Sequence, residues 1–303
     1  MNTLDFNAKK PPLALQHVDY EFESDEGILW VYLNSFPRPC VTTQLVDDIR
    51  SVQRLLEIHN GNIPIDGYQS PVKYHVLDSQ IPGVFSLGGD LAYFLHCIEA
   101  QDKLAIEKYA INCINAIYPI MVNFNLPIIT ISLVRGNALG GGFEIALSGD
   151  FIIAERSAQM GFPEILFNLF PGMGALQMLS ARVGLQKANK LITSGKLYKA
   201  EELYDLGIVD VLVDDGCGEE AVYSYVQNCN KHWNGHMAIQ KVMRKLRQYD
   251  YDEIMDICRN TWVEAVFNID EKDIRTISRL IRSQQRFSIQ RENSVQVTHA
   301  KAS

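Results

Sequence analysis

Residues 136–144 read Gly-Asn-Ala-Leu-Gly-Gly-Gly-Phe-Glu, directly after an apolar run at 128–134 that predicts a buried strand. A turn into a helix needs only one glycine, and three in succession cost conformational entropy on folding. Packing of the helix on the sheet through small residues would explain one or two of them. All three are expected where a group approaches the backbone closely, or where N–H groups at a helix N-terminus meet a developing negative charge. No Lys-Ser or Lys-Thr pair follows, which disfavours a phosphate loop.

Two further segments combine glycine, proline and acidic residues in an unusual way. Residues 85–91 read Phe-Ser-Leu-Gly-Gly-Asp-Leu, and residues 161–165 read Gly-Phe-Pro-Glu-Ile, ahead of Phe-Pro-Gly-Met-Gly at 170–174. Gly-Gly-Asp between a strand and a helix is often only a turn with an N-cap. An acid near a helix start, such as Glu144 or Glu164, often only complements the helix dipole. Taken separately, each segment is therefore ambiguous.

The hydrophobic pattern alternates strands with helices before an all-helical tail. It predicts strands at 27–33, 74–77, 84–85, 128–134, 151–154 and 208–213, one long helix over 91–123 and turns over 60–71. A helix capped by Thr42 or Thr43 follows the first strand. From residue 217 to about 292 the pattern is helical. We therefore predict an N-terminal extension at 1–20, an α/β core at 21–214 and a helical C-terminal region at 215–303.

Composition and charge limit the classes of function. The 303 residues are 47% hydrophobic and 21% charged, as in ordinary soluble globular proteins. The net charge of −8 argues against a nucleic-acid or anionic-membrane partner. Six cysteines without Cys-x-x-Cys spacing are typical of a reduced intracellular protein, and neither a metal nor a cofactor is expected. Because no signal-peptide pattern is found and proline and asparagine interrupt the apolar stretch 116–134, we expect a cytoplasmic protein without membrane insertion.

The three segments together, in this order and spacing, resemble the crotonase (enoyl-CoA hydratase/isomerase) superfamily. The likeness consists of Phe-x-x-Gly-x-Asp, Gly-x-x-x-Gly-Gly-Gly-x-Glu, Pro-Glu and Pro-Gly-x-Gly, and it covers roughly residues 27–265. The resemblance implies an α/β fold, a crotonase-type ββα spiral core with a helical C-terminal region. It also implies Glu144 and Glu164 as the catalytic residues, with the N–H groups of Gly89 and Gly141 as the oxyanion hole.

A narrower resemblance is to the diffusible-signal-factor synthases, which make cis-2-unsaturated fatty acids for bacterial quorum sensing. It includes residues 41–49, 87–91, 136–144, 163–167, 171–175, 261–263 and 275–280. The resemblance implies dehydration of a 3-hydroxyacyl thioester, carried by acyl-carrier protein or coenzyme A, followed by thioester hydrolysis. It implies that Met173, Trp262 and Leu280 line the acyl pocket. It further implies a homo-trimer or hexamer assembled through the C-terminal region.

Two other functions stay open from the sequence. An ordinary enoyl-CoA hydratase or isomerase would use the same glutamates on a coenzyme A thioester. A regulatory protein that sequesters a sensor kinase would need no catalysis, although retention of both glutamates and all three glycines argues against a purely structural protein. Phe143, Phe162 and Phe167 are candidates for an apolar setting that keeps one carboxyl protonated near neutral pH, with core packing as the alternative.

Overall fold

The computed structural model describes residues 13–65 and 67–285 of the chain. The strands in this part are β1 (Val18–Glu23), β2 (Ile28–Leu33), β3 (Asn62–Ile65), β4 (Tyr68–Pro71), β5 (Tyr74–Ser79), β6 (Val84–Ser86), β7 (Ile129–Val134), β8 (Asn137–Leu139), β9 (Phe151–Glu155), β10 (Gln159–Gly161), β11 (Leu197–Lys199) and β12 (Val211–Val213).

The helices between and after these strands are α1 (Thr43–Ile58), α2 (Leu91–Glu99), α3 (Lys103–Met121), α4 (Gly141–Leu147), α5 (Ala175–Val183), α6 (Leu185–Ser194), α7 (Ala200–Asp205), α8 (Gly218–Lys231), α9 (Trp233–Arg247), α10 (Tyr251–Asp256) and α11 (Val263–Phe267). A π-helical segment, Ile257–Trp262, joins α10 to α11. The last described helix spans 271–285 and is called the C-terminal helix below.

The larger sheet has six strands in the order β1-β2-β5-β7-β9-β12. Its strands from β2 to β12 pair in parallel, and β1 pairs antiparallel at one edge. Every residue of β5 and of β7 is buried, because parallel strands joined by helical crossovers are covered on both faces. This is why the central strands appear in the sequence as continuous apolar runs rather than as alternating ones.

The smaller sheet brings the three glycine-rich segments together. Its order is β11-β10-β8-β6, in which β6, β8 and β10 run parallel. β6 ends just before the Leu-Gly-Gly-Asp segment, β8 just before the three glycines, and β10 just before Pro163 and Glu164. Since the carboxyl ends of parallel strands meet at one edge of a sheet, these segments form a single site although they are distant in sequence.

The observed elements confirm the predicted α/β class with a helical C-terminal region, and they correct two local predictions. The single helix predicted over 91–123 is wrong, since α2 and α3 are separated at Gln101, which has a φ of 54°. Asp102 then caps α3 by accepting a hydrogen bond from the Ala105 N–H (2.9 Å). The segment predicted as turns, 60–71, contains the antiparallel hairpin of β3 and β4. Here the pairing partner, rather than local turn chemistry, determines the structure.

The predictions for the two ends of the chain can be compared with the structure only in part, because both ends extend beyond the described residues. β1 begins at Val18, within the predicted extension 1–20, whose first twelve residues lie outside the described part. The predicted helical pattern is observed up to residue 285, and its continuation to 292 also lies outside it. The boundary at residue 214 stays a prediction. In the described ranges, no helix is both long and apolar enough to span a membrane, and 116–134 comprises the end of α3, a short turn and β7.

Candidate active site

Glu144 lies in the first turn of α4, which begins directly after the glycine turn that follows β8. Its side chain is buried, and Oε1 accepts hydrogen bonds from the N–H groups of Met173 (2.6 Å) and Ala175 (3.2 Å). Burial raises the pKa of Glu144 to about 7, and the two N–H donors act in the opposite direction because they stabilise the carboxylate. The position therefore holds a carboxyl that titrates near neutral pH.

Glu164 lies in a short 3-10 helix, Pro163–Phe167, which starts just after β10. Its Oε2 is buried and finds no hydrogen-bond partner among the described residues. Burial and, to a smaller extent, the negative charge of Glu144 raise the pKa of Glu164 to about 8, while a hydrogen bond from its own backbone N–H acts in the opposite direction. Because a buried carboxylate oxygen without a donor is costly, the geometry favours the protonated form of Glu164 beside ionised Glu144. The pair therefore holds one proton near neutral pH.

Two backbone N–H groups meet beside these carboxyls. Gly88 has a φ of +84°, and its carbonyl accepts a hydrogen bond from the Val41 N–H (2.8 Å). A Cβ atom built on Gly141 would lie 3.6 Å from the Gly89 nitrogen, so the two glycines are adjacent in space. Within the described residues, neither the Gly89 nor the Gly141 N–H donates to a protein acceptor. Two free, neighbouring N–H donors are the arrangement that stabilises an oxyanion.

These groups face one cavity of about 150 Å³, which is lined by all seven residues that the resemblance predicts as catalytic, oxyanion-hole or acyl-pocket residues. Those seven lining residues are Gly89, Gly141, Glu144, Glu164, Met173, Trp262 and Leu280. The two glutamates are the only charged side chains among the described residues that line the cavity. The rest of the wall is mostly aliphatic and aromatic, which suits a hydrocarbon chain.

Trp262 closes part of the wall from the C-terminal region. Its Nε1–H donates to the carbonyl of Phe170 (2.9 Å), and its ring lies edge-on to Phe94 with centroids 5.6 Å apart. A Cβ atom on Gly172 would lie 2.6 Å from Cδ1 of this ring. Trp262 is therefore held tightly by residues 170–172, which form the loop after Glu164.

The three phenylalanines proposed as an apolar setting are placed differently. Phe167 lines the cavity. Phe143 and Phe162 are buried, stack on each other with ring centroids 5.0 Å apart, and are not among the residues that line it. They pack behind the site in the core.

Several lining residues were missed in the sequence analysis. They lie on helices outside the motifs and include Phe94, Tyr109, Cys113 and Gln284. Tyr109 donates from its hydroxyl to the Val41 carbonyl and accepts a hydrogen bond from the Asp90 N–H (3.4 Å). Apolar helix positions of this kind have the same spacing as core positions, so the sequence carried no signal for them. Among the residues described, no cluster of three or more His, Cys, Asp or Glu side chains could hold a metal ion.

The α/β architecture is that of the crotonase-fold proteins, and comparison with known families agrees with it. Residues 69–256 match the enoyl-CoA hydratase/isomerase family model, and the chain belongs to that family. The resemblance inferred from the motifs is thereby confirmed at the level of the superfamily.

Individual relatives are moderately similar. The chain is 29% identical over 226 residues to probable enoyl-CoA hydratase 2, mitochondrial, of Arabidopsis thaliana, covering 74% of this chain and 68% of that protein. It is 31% identical over 163 residues to mouse methylglutaconyl-CoA hydratase, mitochondrial, covering 52% of this chain and 49% of that protein. This chain therefore spans about half the length of the mouse relative.

Solved structures with the same fold are more divergent in sequence. DspI of Pseudomonas aeruginosa superposes with a TM-score of 0.66 at 23% identity, covering 90% of this chain and 99% of that one. The enoyl-CoA hydratase of Bacillus halodurans superposes with a TM-score of 0.71 at 20% identity, covering 86% and 98%. At these identities the likeness shows the shared fold alone.

Proposed function

We propose that this protein dehydrates a 3-hydroxyacyl thioester and then hydrolyses the thioester to release a cis-2-unsaturated fatty acid. The observation that carries the proposal is the convergence of Glu144, Glu164 and the N–H groups of Gly89 and Gly141 on one apolar cavity. The motif-level resemblance to the diffusible-signal-factor synthases selects this reaction among those open to the family. In that role the product would serve as a quorum-sensing signal.

The dehydration step uses both carboxyls. A thioester carbonyl between the Gly89 and Gly141 N–H groups is polarised, which makes the α-proton acidic, and such a donor is worth about 3–4 kcal/mol in the transition state. One glutamate, ionised, takes the α-proton. The other, protonated, gives its proton to the β-hydroxyl, which leaves as water. A pair that holds one proton near neutral pH supplies an acid and a base at the same time.

The hydrolysis step uses the same donors again. A water molecule, deprotonated by a glutamate, attacks the carbonyl carbon, and the negative charge that forms on the oxygen is stabilised by the two glycine N–H groups. The carbon–sulfur bond then breaks. The thiol of the carrier leaves with a proton, and the free enoic acid remains.

The charge of the lining favours an uncharged acyl chain. No described Lys, Arg or His side chain lines the cavity. A dicarboxylic acyl group, such as methylglutaconyl, would bury its carboxylate there without a cation, and burying an unpaired charge is strongly unfavourable. A linear or branched hydrocarbon pays no such penalty. The acyl-carrier protein as carrier, the sensor-kinase partner, the trimeric or hexameric assembly and the cytoplasmic location stay predictions from the resemblance and the sequence.

Product analysis tests the proposal. We expect the purified protein to convert a 3-hydroxydecanoyl thioester of acyl-carrier protein into free cis-2-decenoic acid, measured by mass spectrometry with an authentic cis standard. Glu144→Gln and Glu164→Gln should make no product. Glu220→Gln, at an exposed position on α8, is the matched control and should behave as wild type.

Other outcomes would select the other functions. Reversible hydration of trans-2-enoyl-coenzyme A without release of free acid would identify an enoyl-CoA hydratase instead, an activity that the family match also supports. Binding of a sensor kinase that persists in the double Glu144→Gln/Glu164→Gln variant, with no acid formed by wild type, would identify a regulatory binding protein. Product of normal yield from either single variant would refute the two-carboxyl mechanism.

A further inference from the structure

The C-terminal helix contacts the Leu-Gly-Gly-Asp segment at 87–90, which carries the Gly89 N–H and is called the oxyanion loop below, through one buried side-chain amide. Gln284 lies on this helix, is only 6% exposed and lines the cavity. Its Nε2 donates to the carbonyl of Leu87 (3.1 Å) and to the carbonyl of Gly89 (3.2 Å). One side-chain NH₂ group therefore bridges two backbone carbonyls that lie about 195 residues earlier in the sequence.

The two bridged carbonyls flank the peptide that carries the proposed oxyanion donor. The Gly89 N–H belongs to the Gly88–Gly89 peptide, whose carbonyl accepts from the Val41 N–H (2.8 Å). The peptide before it presents the Leu87 carbonyl and the peptide after it presents the Gly89 carbonyl, and both accept from Gln284. No other described donor reaches either carbonyl. The N–H groups of the two flanking peptides are bonded too, Gly88 N–H to Ser86 Oγ (3.4 Å) and Asp90 N–H to the Tyr109 hydroxyl (3.4 Å). Gln284 is therefore the contribution of the C-terminal helix to a set of contacts that fixes the direction of the Gly89 N–H.

Two adjacent glycines make this support necessary. Gly88 has a φ of +84°, and a glycine pair has more backbone freedom in the absence of external contacts than any other dipeptide. An N–H donor helps catalysis only if it points at the place where the charge develops before the reaction starts. A loop of this kind gains its direction from the groups that bind its carbonyls.

We propose that Gln284 is a positioning residue of the oxyanion hole, which orients the Gly89 N–H by holding the carbonyls of Leu87 and Gly89, so that the hole is complete only when the C-terminal helix is docked. This inference rests on the proposed role of Gly89 and concerns any reaction of a thioester at this site. Gln284 touches the loop and acts through it.

A kinetic comparison in the full-length protein tests the inference. Gln284→Met has a similar length, keeps helix propensity and removes both donors. Gln285→Met is the matched control, because Gln285 is exposed on the same helix. We expect Gln284→Met to lower kcat roughly 10- to 100-fold with KM changed less than about 3-fold, since misplacement of a catalytic group by an ångström costs about 100-fold. Gln285→Met should match wild type in both.

Infrared spectroscopy separates orientation from stability. The probe is octanoyl-coenzyme A with a ¹³C-labelled thioester carbonyl, bound to the Glu144→Gln/Glu164→Gln variant so that it is not consumed. Hydrogen bonds to a carbonyl lower its stretching frequency, so wild-type loop geometry should shift the band to lower wavenumber. Adding Gln284→Met should return the band towards the position of the free thioester, and adding Gln285→Met should not.

The outcomes are distinct. A band and a kcat that are unchanged by Gln284→Met would overturn the positioning role while leaving the oxyanion hole in place. If the carbonyl band of the thioester bound to the Glu144→Gln/Glu164→Gln variant lies at the position of the free thioester, the oxyanion assignment is overturned, and the inference with it. If Gln284→Met does not fold, as judged by its melting temperature, Gln284→Leu serves in its place, because leucine also lacks a donor and is no longer than glutamine.

Discussion

The three successive glycines at 140–142 contact three different neighbours. A Cβ atom at Gly140 would lie 2.4 Å from Oε1 of Glu164, and one at Gly142 would lie 2.4 Å from the Ser86 carbonyl. At Gly141 the nearest atom would be the terminal methyl of Met173, at 2.9 Å. The close approach predicted from the sequence is thus made by a carboxyl, a flexible side chain and a neighbouring strand. Only the last of these is the helix-on-sheet packing that was considered as the alternative.

At Gly141, alanine and proline substitutions separate packing from hydrogen bonding. Gly141→Ala keeps the N–H, and its Cβ meets only the movable end of Met173. Gly141→Pro removes the N–H at the first position of α4, where proline is accepted in helices. We expect the proline variant to lose a further 100- to 1,000-fold in kcat relative to the alanine variant, in line with loss of an oxyanion donor. Equal rates in the two variants at equal melting temperatures would assign Gly141 to packing alone.

The glutamate pair predicts a narrow pH optimum. Activity requires one carboxyl ionised and the other protonated, and burial raises the pKa of Glu144 to about 7 and that of Glu164 to about 8. Below the lower value both are protonated and no base is present, whereas above the higher value both are ionised and no acid is present. We expect kcat/KM to be bell-shaped with a maximum between about pH 7 and 8. A rate that is constant from pH 5 to 7 would show that the base titrates at an ordinary carboxyl pKa.

At the level of elements, the π-helical segment between α10 and α11 contributes a side chain to the wall of the cavity. A π turn contains one more residue than an α turn, so it changes the faces that the following residues present. Trp262 ends this segment and lines the cavity, and Leu280 reaches the cavity from the C-terminal helix. The cavity is therefore built partly by elements that lie beyond the last strand.

Shortening the side chains of this wall should change the acyl groups that are accepted. Leu280 is half-buried at the cavity, so Leu280→Ala enlarges the pocket at a modest cost in stability. We expect this variant to change the chain lengths of the products, measured by mass spectrometry with a mixture of substrates. An apolar pocket discriminates between substrates by about 1–3 kcal/mol for each methylene. Trp262→Ala removes a buried ring and should also cost about 3–5 kcal/mol in the free energy of unfolding.

The control for the pocket prediction is a position outside the cavity on the same helix. Arg279→Ala changes an exposed neighbour of Leu280 and should leave the product profile unaltered. A stable Leu280→Ala variant with the same profile as Arg279→Ala would exclude Leu280 from the acyl pocket.

At the scale of the whole molecule, the two carboxyls link the stability of the fold to pH. A carboxyl whose pKa is raised on folding binds a proton in the folded chain at pH values where the unfolded chain has released it. The contribution of these two carboxyls to stability is therefore greatest below the unfolded pKa of about 4.5, and it falls as the pH rises towards about 7 for Glu144 and about 8 for Glu164. Near neutral pH the two buried carboxyls therefore lower the free energy of unfolding.

Replacing Glu144 by glutamine should remove its part of this pH dependence. We expect Glu144→Gln to match wild type at pH 4.5 and to be more stable by about 1–3 kcal/mol at pH 8.5, measured by urea unfolding. Burial also raises the pKa of Asp78, to about 6, but Asp78 is present in both proteins and cancels in the difference. A variant that is less stable than wild type at pH 8.5 would mean that the Glu144 carboxylate is better solvated than its burial indicates.

Local sequence pattern was enough for the class of fold, whereas the chemical groups of the candidate site were predicted only with the family resemblance. Buried parallel strands appear as apolar runs, and turns that require a positive φ, such as the one at Gly88, leave glycines in the sequence. The family resemblance predicted roles for Glu144, Glu164, Gly89 and Gly141, and the structure places all four around one cavity.

Only the tertiary structure determined the rest of the site. Contacts such as that of Gln284 with the carbonyls of Leu87 and Gly89 join residues about 195 positions apart. The sequence around a glutamine on a helix does not indicate which distant carbonyls its amide will bind. The aromatic wall from α2 and α3 has ordinary core spacing in the sequence. The raised pKa values of the glutamates follow from burial, which is a property of the packed molecule, because the same side chains in an unfolded chain are fully hydrated.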